Sequence, residues 1–303
     1  MVFVFAIAYI LTSIESQKNL ISLIAKDFST TIIPYFILIF LLQFVNWTLE
    51  ALKFYFLLPD SKNLSFNQVL KSVYVGNLTA IVSPKRLGNF IGRNWILKEK
   101  AQQVTISTIS GNFYQLFITI IMAFCSFLYL YFFKTQFLLE LKYYFLLLVF
   151  FYSFLLFLIS YTIFNNNWHP IVNKLKLVKY FNISTDHLTS ISSIKRIRVL
   201  FIAMSRYWIF IFQYYLLFKG FNLPIDFLDV IILVGLLFGT VTFLPSFAPG
   251  NLVTREALSI FILGGSALGI KFALVSFLVW SVNVAFSALI GAGLLFTSKT
   301  IKW

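Results

Sequence analysis

Residues 103–131 read QVTISTISGNFYQLFITIIMAFCSFLYLY, and this stretch decides the fold class. It contains no Asp, Glu, Lys or Arg, and it is longer than the roughly 20 residues that a helix needs to cross the apolar core of a bilayer. Further stretches meet the same requirement: 30–57, 137–163, 199–219 and 271–296. The shorter apolar stretch at 2–14 has no basic residue before it and no cleavage pattern after it, so it predicts a first helix and not a removed signal peptide.

The composition of the whole chain is also typical of a membrane protein. Of its 303 residues, 60% are hydrophobic and 11% are charged, whereas about 25% of the residues of a soluble domain are charged. So few polar groups cannot cover a globular surface, which excludes an ordinary soluble enzyme. The two histidines, His169 and His187, have no Cys or carboxylate at ligand spacing, and no catalytic or nucleotide-binding motif is present. We therefore expect no metal, no cofactor and no catalytic residue.

The basic residues predict the orientation in the membrane. Lys and Arg number 24 against 10 Asp and Glu, and short basic loops stay in the cytoplasm. The loop at 164–198, the connection at 84–102 and the C-terminal tail carry many of these cations. We expect an integral protein of the plasma (bacterial inner) membrane with both termini in the cytoplasm, where the positive charge meets anionic lipid rather than nucleic acid.

Two apolar regions, 66–93 and 226–263, are interrupted by helix-breaking residues. The first contains Pro84 and Gly88, and the second contains Pro245, Pro249 and Gly250. The sequence thus predicts an all-α, polytopic transmembrane bundle with six full spans and two broken or re-entrant helical hairpins. If the hairpins cross the membrane fully, the number of spans becomes eight.

The two broken regions share a pattern, which predicts an internal repeat. Each contains Gly-x-x-Thr, ending at Thr79 or Thr242, a Pro/Ser pair, and then Gly-Asn-x-x-x-Arg, ending at Arg93 or Arg255. The predicted organisation of the single membrane domain 1–303 is repeat one at 30–131, a connecting span at 137–163, the basic loop at 164–198 and repeat two at 199–296. On the predicted orientation, the repeats are inverted, an arrangement in which broken helices line a substrate site near the midplane.

The repeated motif has the chemistry of a phosphate site. Asn89 and Asn251 are good N-caps, so each motif predicts a half-helix whose N-terminus faces the protein interior. An Arg one turn later can hold phosphate with two parallel hydrogen bonds. Thr79, Thr242, Ser83 and Ser246 are expected to satisfy the broken backbone. The candidate substrate-binding residues are Arg93, Arg255, Glu256, Asn89, Asn251, Gly88, Gly250, Pro84, Pro245, Ser246, Thr79, Thr242 and Arg206.

Several of these residues have alternative roles. Arg93 and Arg255 would have a purely structural role if they anchored the hairpins at the interface. Glu256 could accept a cation, carry a proton or neutralise Arg255 beside it. Arg206 lies either on the substrate path or near the inner face of the membrane.

The segments Pro84–Arg93 and Pro245–Glu256 resemble the two motifs of the lysylphosphatidylglycerol synthase transmembrane, or flippase-like, family. The resemblance implies a membrane region that translocates lipids, while the aminoacyl transfer belongs to a separate soluble domain that we do not expect in this chain. The family's usual Glu after the first Gly is Asn89 here. The resemblance therefore implies an anionic, zwitterionic or polyprenyl-linked lipid at least as readily as a cationic lysyl lipid.

The leading hypothesis from the sequence is a non-enzymatic, flippase-like protein whose partners are membrane lipids. A membrane-embedded transferase acting on a lipid is an alternative. Another is a secondary transporter of a small solute, for which Glu50 and Glu256 would be the coupling groups. The sequence is compatible with a homo-oligomer and with a separate synthase as a protein partner.

Overall fold

Helices form the regular secondary structure of the described residues. The computed structural model describes residues 9–12, 32–59, 64–83, 86–97, 101–133, 145–165, 191–244, 251–263 and 266–297. The helices are α1 (Ile33–Leu57), α2 (Phe66–Ile81), α3 (Gly88–Leu97), α4 (Ala101–Phe133), α5 (Phe145–Phe164), α6 (Ser193–Gly220), α7 (Phe227–Phe243), α8 (Leu252–Ile262), α9 (Ala267–Trp280), a π-helix (Ser281–Phe286) and α10 (Ser287–Thr297). The predicted all-α fold is confirmed.

Four of these helical segments have the length and apolar composition of a membrane span. They are α1, α4, α6 and the continuous segment Ala267–Thr297, and shorter apolar helices lie at Val149–Phe164 and Phe227–Phe243. The prediction of a polytopic helical membrane bundle is confirmed. Of the predicted N-terminal stretch at 2–14, the structure describes residues 9–12, which are helical.

Many large apolar side chains on the described helices are exposed. Phe150 and Phe157 on α5 are 73% and 64% exposed, and Phe201 on α6 is 75% exposed. Such a surface would be an aggregation hazard in water, whereas hydrocarbon tails solvate it readily. The exposed rings therefore indicate which side of each helix faces lipid.

Both predicted breaks are present. Helix α2 ends at Ile81 before α3 begins at Gly88, and α7 ends at Phe243 before α8 begins at Leu252. At about 1.5 Å per residue, α2 and α7 are about 25 Å long, which is less than the roughly 30 Å apolar core of a bilayer. Pro84, Pro245, Pro249 and Gly250 lie outside the described residues. Whether the broken regions re-enter or cross stays a prediction.

The helices of the two halves pack in a reciprocal way. Each half has the order long helix, medium helix, short helix, long helix: α1 to α4 in the first half, and α6, α7, α8 and the segment Ala267–Thr297 in the second. The first long helices of the two halves, α1 and α6, pack against each other. Helix α4 of the first half packs against α7 of the second, and α10 of the second half packs against α2 of the first. If the two halves are interchanged, the contact of α4 with α7 becomes the contact of α10 with α2, and the contact of α1 with α6 maps onto itself. This is the pattern expected for two halves related by a pseudo-two-fold axis. The inversion of the repeats stays a prediction.

The boundary of the predicted basic loop at 164–198 is wrong at its C-terminal end. Helix α6 begins at Ser193, so Lys195, Arg196 and Arg198 lie in its first two turns. The reason is local: the Ser192 Oγ accepts a hydrogen bond from the Lys195 amide at 3.4 Å and caps the helix before the apolar span starts. The part of the loop at 166–190 lies outside the described residues.

Helices α2 and α3 approach closely through a glycine. A Cβ atom at Gly92 would lie 2.6 Å from the Val75 carbonyl oxygen and 2.8 Å from the Gly76 Cα. Both neighbours are backbone atoms, which cannot rotate away. Any side chain at this position would push the two halves of the broken hairpin apart.

We expect Gly92→Ala to lower the Tm of the purified protein, because overpacking a tight contact costs about 1–3 kcal/mol. The matched control is Gly293→Ala on α10, where an added Cβ meets no atom within 4 Å. The measurement is the fraction of detergent-solubilised protein that stays monodisperse after heating. Equal Tm values for the two variants would contradict the close packing of α2 and α3.

Candidate functional site

Helix α1 carries a polar stripe along one side of an apolar span. Asn46, Glu50 and Lys53 lie four and three residues apart, so they share one face of the helix. All three are buried, with exposed fractions of 0%, 5% and 1%. A buried carboxylate and a buried ammonium group in a membrane span are expensive unless they have partners. The stripe therefore marks the side of α1 on which the partners must lie.

The Glu50 carboxylate joins three cations from three helices. Its Oε2 atom lies 2.7 Å from the Lys53 Nζ on α1, and its Oε1 atom lies 3.0 Å from the Arg93 Nη2 on α3. The Arg206 Nη1 on α6 also donates to Oε2. Arg93 is 2% exposed and Arg206 7% exposed. One buried negative charge thus holds three positive charges, which come from both halves of the bundle.

The two guanidinium groups are held in fixed orientations by further contacts. The Arg93 Nε donates to the Asn89 Oδ1 at 3.0 Å, and its Cζ lies 4.4 Å from the centre of the Phe54 ring. The Arg206 Nε donates to the Asn46 Oδ1 at 2.9 Å. Stacking on an aromatic face and hydrogen bonding at Nε leave the outer nitrogens of an arginine to meet an anion.

A chain of amides extends from this cluster across the bundle. The Asn46 Nδ2 donates to the Asn283 Oδ1 at 3.1 Å, and the Asn283 Nδ2 donates to the Gln213 Oε1 at 2.8 Å. Asn283 lies in the π-helix, and its carbonyl oxygen accepts a hydrogen bond from the Trp47 Nε1 at 2.9 Å. Because a π-helix shifts the backbone hydrogen bonds, it commonly occurs at functional sites. Here it turns a backbone carbonyl towards α1.

A cavity of about 440 Å³ opens beside the Glu50 cluster. This volume is within the range of about 300–1,000 Å³ that is usual for small-molecule sites. Its lining residues are Trp47, Glu50, Lys53, Val73, Asn77, Arg86, Leu87, Asn89, Phe90, Arg93, Asn112, Gln115, Arg206, Phe210, Asn283 and Val284. Arg86, Leu87 and Asn112 are exposed, so they lie on the open side, whereas Glu50 and Lys53 are at the buried end.

The first predicted motif is largely part of this cavity. Asn89, Arg93 and Arg206 line it. Around the break, the Thr79 Oγ1 donates to the Gly88 carbonyl at 2.6 Å, and the Gly88 amide donates to the Ser83 Oγ at 2.7 Å. The prediction that Thr79 and Ser83 satisfy the broken backbone is confirmed.

The described residues of the second predicted motif, among them Asn251, Arg255 and Glu256, are not part of the cavity lining. The Arg255 Nε donates to the Glu256 Oε1 at 3.2 Å, and both side chains are buried. Glu256 thus neutralises the arginine beside it. The Thr242 Oγ1 donates to the Phe238 carbonyl at 2.7 Å, within its own helix. Ser246 and Gly250, like Pro84 and Pro245, lie outside the described residues.

The predicted N-cap role is wrong for Asn89, whereas Asn251 has the predicted position without the capping hydrogen bond. Helix α3 begins at Gly88, so Asn89 is already inside the helix and its side chain is engaged by Arg93. Asn251 does occupy the N-cap of α8, but its side chain makes no capping hydrogen bond. Its φ of 60° and ψ of 25° are left-handed, whereas a capping side chain needs an extended backbone to reach the free amides.

From the sequence, Glu50 is predicted only as a coupling group, and neither Asn46 nor Lys53 is predicted as a site residue. The available signal was their spacing of four and three residues within the predicted span 30–57, because polar groups on one face of a membrane helix seldom lack a function. Asn283 and Gln213 carried the same kind of signal as isolated amides within spans. Glu50 on α1 and Asn89 on α3 accept hydrogen bonds from the same arginine, Arg93.

A family model described as the lysylphosphatidylglycerol synthase TM region matches residues 1–291. The match includes both broken hairpins and every residue that lines the cavity. A comparison with curated proteins and one with solved structures found no match.

We expect Glu50→Gln to destabilise the protein strongly, because removing one member of a buried ion-pair cluster costs about 3–5 kcal/mol. The measurement is the Tm in detergent. Asp226→Asn is the matched control, since it removes the same charge from an exposed side chain that makes no capping hydrogen bond.

The double variant Glu50→Gln/Lys53→Gln should recover part of the lost stability, because it leaves one cation fewer without a counter-charge. A Tm for Glu50→Gln as high as that of Asp226→Asn would show that the carboxylate does not hold the cluster together.

Proposed function

The chain belongs to the lysylphosphatidylglycerol synthase transmembrane-region family, and from this premise we propose that it is a flippase-like protein. It translocates phospholipid or lipid-linked headgroups across the bilayer through the cavity beside Glu50. The headgroup enters the polar cavity while the acyl chains remain in the membrane. In this proposal the protein carries out no covalent chemistry, and a membrane lipid is its substrate.

The surplus of positive charge in the cavity is the observation that carries the proposal. On insertion scales, a single arginine at the centre of a membrane helix costs about 2.5–3.5 kcal/mol. A purely structural ion pair would match one cation to Glu50, yet Lys53, Arg93 and Arg206 all contact it. A phosphate group would supply the missing negative charge and would accept paired hydrogen bonds from the guanidinium groups.

The lining of the cavity also suits an amphipathic substrate. The open side combines Arg86 with the apolar Leu87 and Phe90. A headgroup can contact the cations there while the first carbons of its tails lie against the apolar side chains. This mixed lining is the reason for proposing a lipid rather than a small hydrophilic solute.

Arg255 is the counterpart of Arg93 in the second half of the chain. In alternating-access transporters, the two halves of a repeat exchange roles as the site opens to one side and then the other. We propose that Arg255, now paired with Glu256, contacts the headgroup in the oppositely open state. Asn251 begins the same helix and would lie on the same side of the path.

A solute transporter driven by protons or sodium ions fits the contacts less well. The sequence offers Glu50 and Glu256 as coupling groups, but Glu50 is held by three cations and Glu256 by Arg255. A carboxylate in such contacts does not readily take up and release a cation during a cycle.

The experiment is a lipid-translocation assay in proteoliposomes with fluorescent phospholipids and a membrane-impermeant quencher. Wild-type protein should accelerate translocation, and Arg93→Ala and Arg206→Ala should each slow it about tenfold or more, since a hydrogen bond to a charged group contributes about 1.5–3 kcal/mol. Arg198→Ala, which removes an exposed arginine near the start of α6, is the matched control.

Gel filtration first establishes that each variant folds. Arg93→Lys then tests whether a positive charge at this position supports translocation without the paired hydrogen bonds of a guanidinium group. Equal translocation by wild type and by both alanine variants would refute the role of the cavity. Conversion of a lipid to a new product would instead indicate a transferase, and ion-dependent solute uptake would indicate a transporter.

A further inference from the structure

The charges in the cavity do not balance. Its described lining residues include four cationic side chains, those of Lys53, Arg86, Arg93 and Arg206, and one carboxylate, that of Glu50. Both oxygens of that carboxylate are engaged, Oε1 by Arg93 and Oε2 by Lys53 and Arg206. Three positive charges are therefore left over in the described part of the cavity.

Arg86 differs from the other three cations because a neutral group holds it. Its Nη2 donates to the Asn77 Oδ1 at 3.1 Å, and the Asn77 Nδ2 in turn donates to the Ser287 Oγ. Its φ of 59° is left-handed, which is uncommon for a residue with a long side chain. Backbone strain of this kind persists mainly at ligand clamps and other functional sites. Arg86 is thus placed on the open side of the cavity, and it forms no ion pair with a carboxylate among the described residues.

The surplus of positive charge in the cavity favours a phosphate monoester over a phosphodiester. A phosphodiester headgroup carries one negative charge on two free oxygens, and a lysyl ester of such a headgroup has no net negative charge. A phosphate monoester carries about −1.5 to −2 at pH 7 on three free oxygens. A monoester can therefore offset more of the surplus and contact more of the guanidinium groups at once.

We propose that the cavity selects lipids whose headgroup ends in a phosphate monoester over lipids whose phosphate is a diester. The inference deepens the proposed function and rests on it. Arg86 is the residue that sets this preference, because it brings positive charge to the open side of the cavity and pairs with none of the described carboxylates. The phosphate is presented by a lipid, since Leu87 and Phe90 line the cavity beside Arg86.

The test compares two lipids with identical tails, phosphatidic acid and phosphatidylmethanol, which differ by one methyl group on a phosphate oxygen. The full chain is placed in nanodiscs of phosphatidylcholine, and binding of each fluorescent lipid is measured. Wild-type protein should prefer phosphatidic acid about tenfold, which corresponds to about 1.4 kcal/mol. Inorganic phosphate should displace the bound lipid only at concentrations about a hundredfold higher, because it lacks the contribution of the tails.

Arg86→Gln should reduce the preference to about threefold or less, by weakening the binding of phosphatidic acid more than that of phosphatidylmethanol. Arg86→Lys keeps the charge and should retain most of the preference, and it remains informative if Arg86→Gln does not fold. Lys195→Gln, which removes an exposed cation at the start of α6, should leave the preference at its wild-type value.

The failures of this inference and of the proposed function can be told apart. Equal binding of the two lipids by wild type, in protein whose translocation still depends on Arg93, would overturn the preference and leave the proposed function standing. Displacement by inorganic phosphate at the concentration of the lipid itself would show a site for free phosphate and overturn the assignment to lipids. Absence of translocation for both lipids would overturn the proposed function, on which this inference rests.

Discussion

A single buried carboxylate holds together the centre of this membrane protein. Glu50 contacts Lys53 on its own helix, Arg93 on the short helix after the first break, and Arg206 on the long helix of the second half. In hydrocarbon none of these charges can be left alone, so the three helices must meet where the carboxylate lies. The position of the broken hairpin and the contact between the halves both follow from this requirement.

The rest of the fold serves to keep the cluster in place. The missing side chain at Gly92 lets α3 lie against the backbone of α2, which brings Arg93 within reach of Glu50. The π-helix directs Asn283 towards α1, where its amide and its carbonyl are both engaged. Hydrogen bonds that link Asn46, Asn283 and Gln213 in one chain favour a single arrangement of these side chains.

The two copies of the motif are used differently although their sequences are alike. Arg93 reaches across to a carboxylate on another helix and lines a cavity, whereas Arg255 is neutralised by the next residue along the chain. The arginine of the first motif therefore belongs to the charged cavity, whereas the arginine of the second motif is paired with its own neighbour. If the repeats exchange roles during transport, as the proposed function requires, this structure is one of two states and its asymmetry is the difference between them.

The sequence by itself determined the membrane class, four of the six predicted spans and the location of both breaks, because apolar length and helix-breaking residues act locally along the chain. It also identified Asn89, Arg93 and Arg206, which line the cavity. It predicted that both asparagines cap their helices, but Asn89 lies inside its helix and Asn251 makes no capping hydrogen bond, since a cap depends on the backbone angles of one residue. Only the tertiary structure decided that Glu50, 43 residues from Arg93 and 156 from Arg206, is their common partner. Pairing between distant charges depends on how the helices pack, and no local pattern in the sequence encodes that packing.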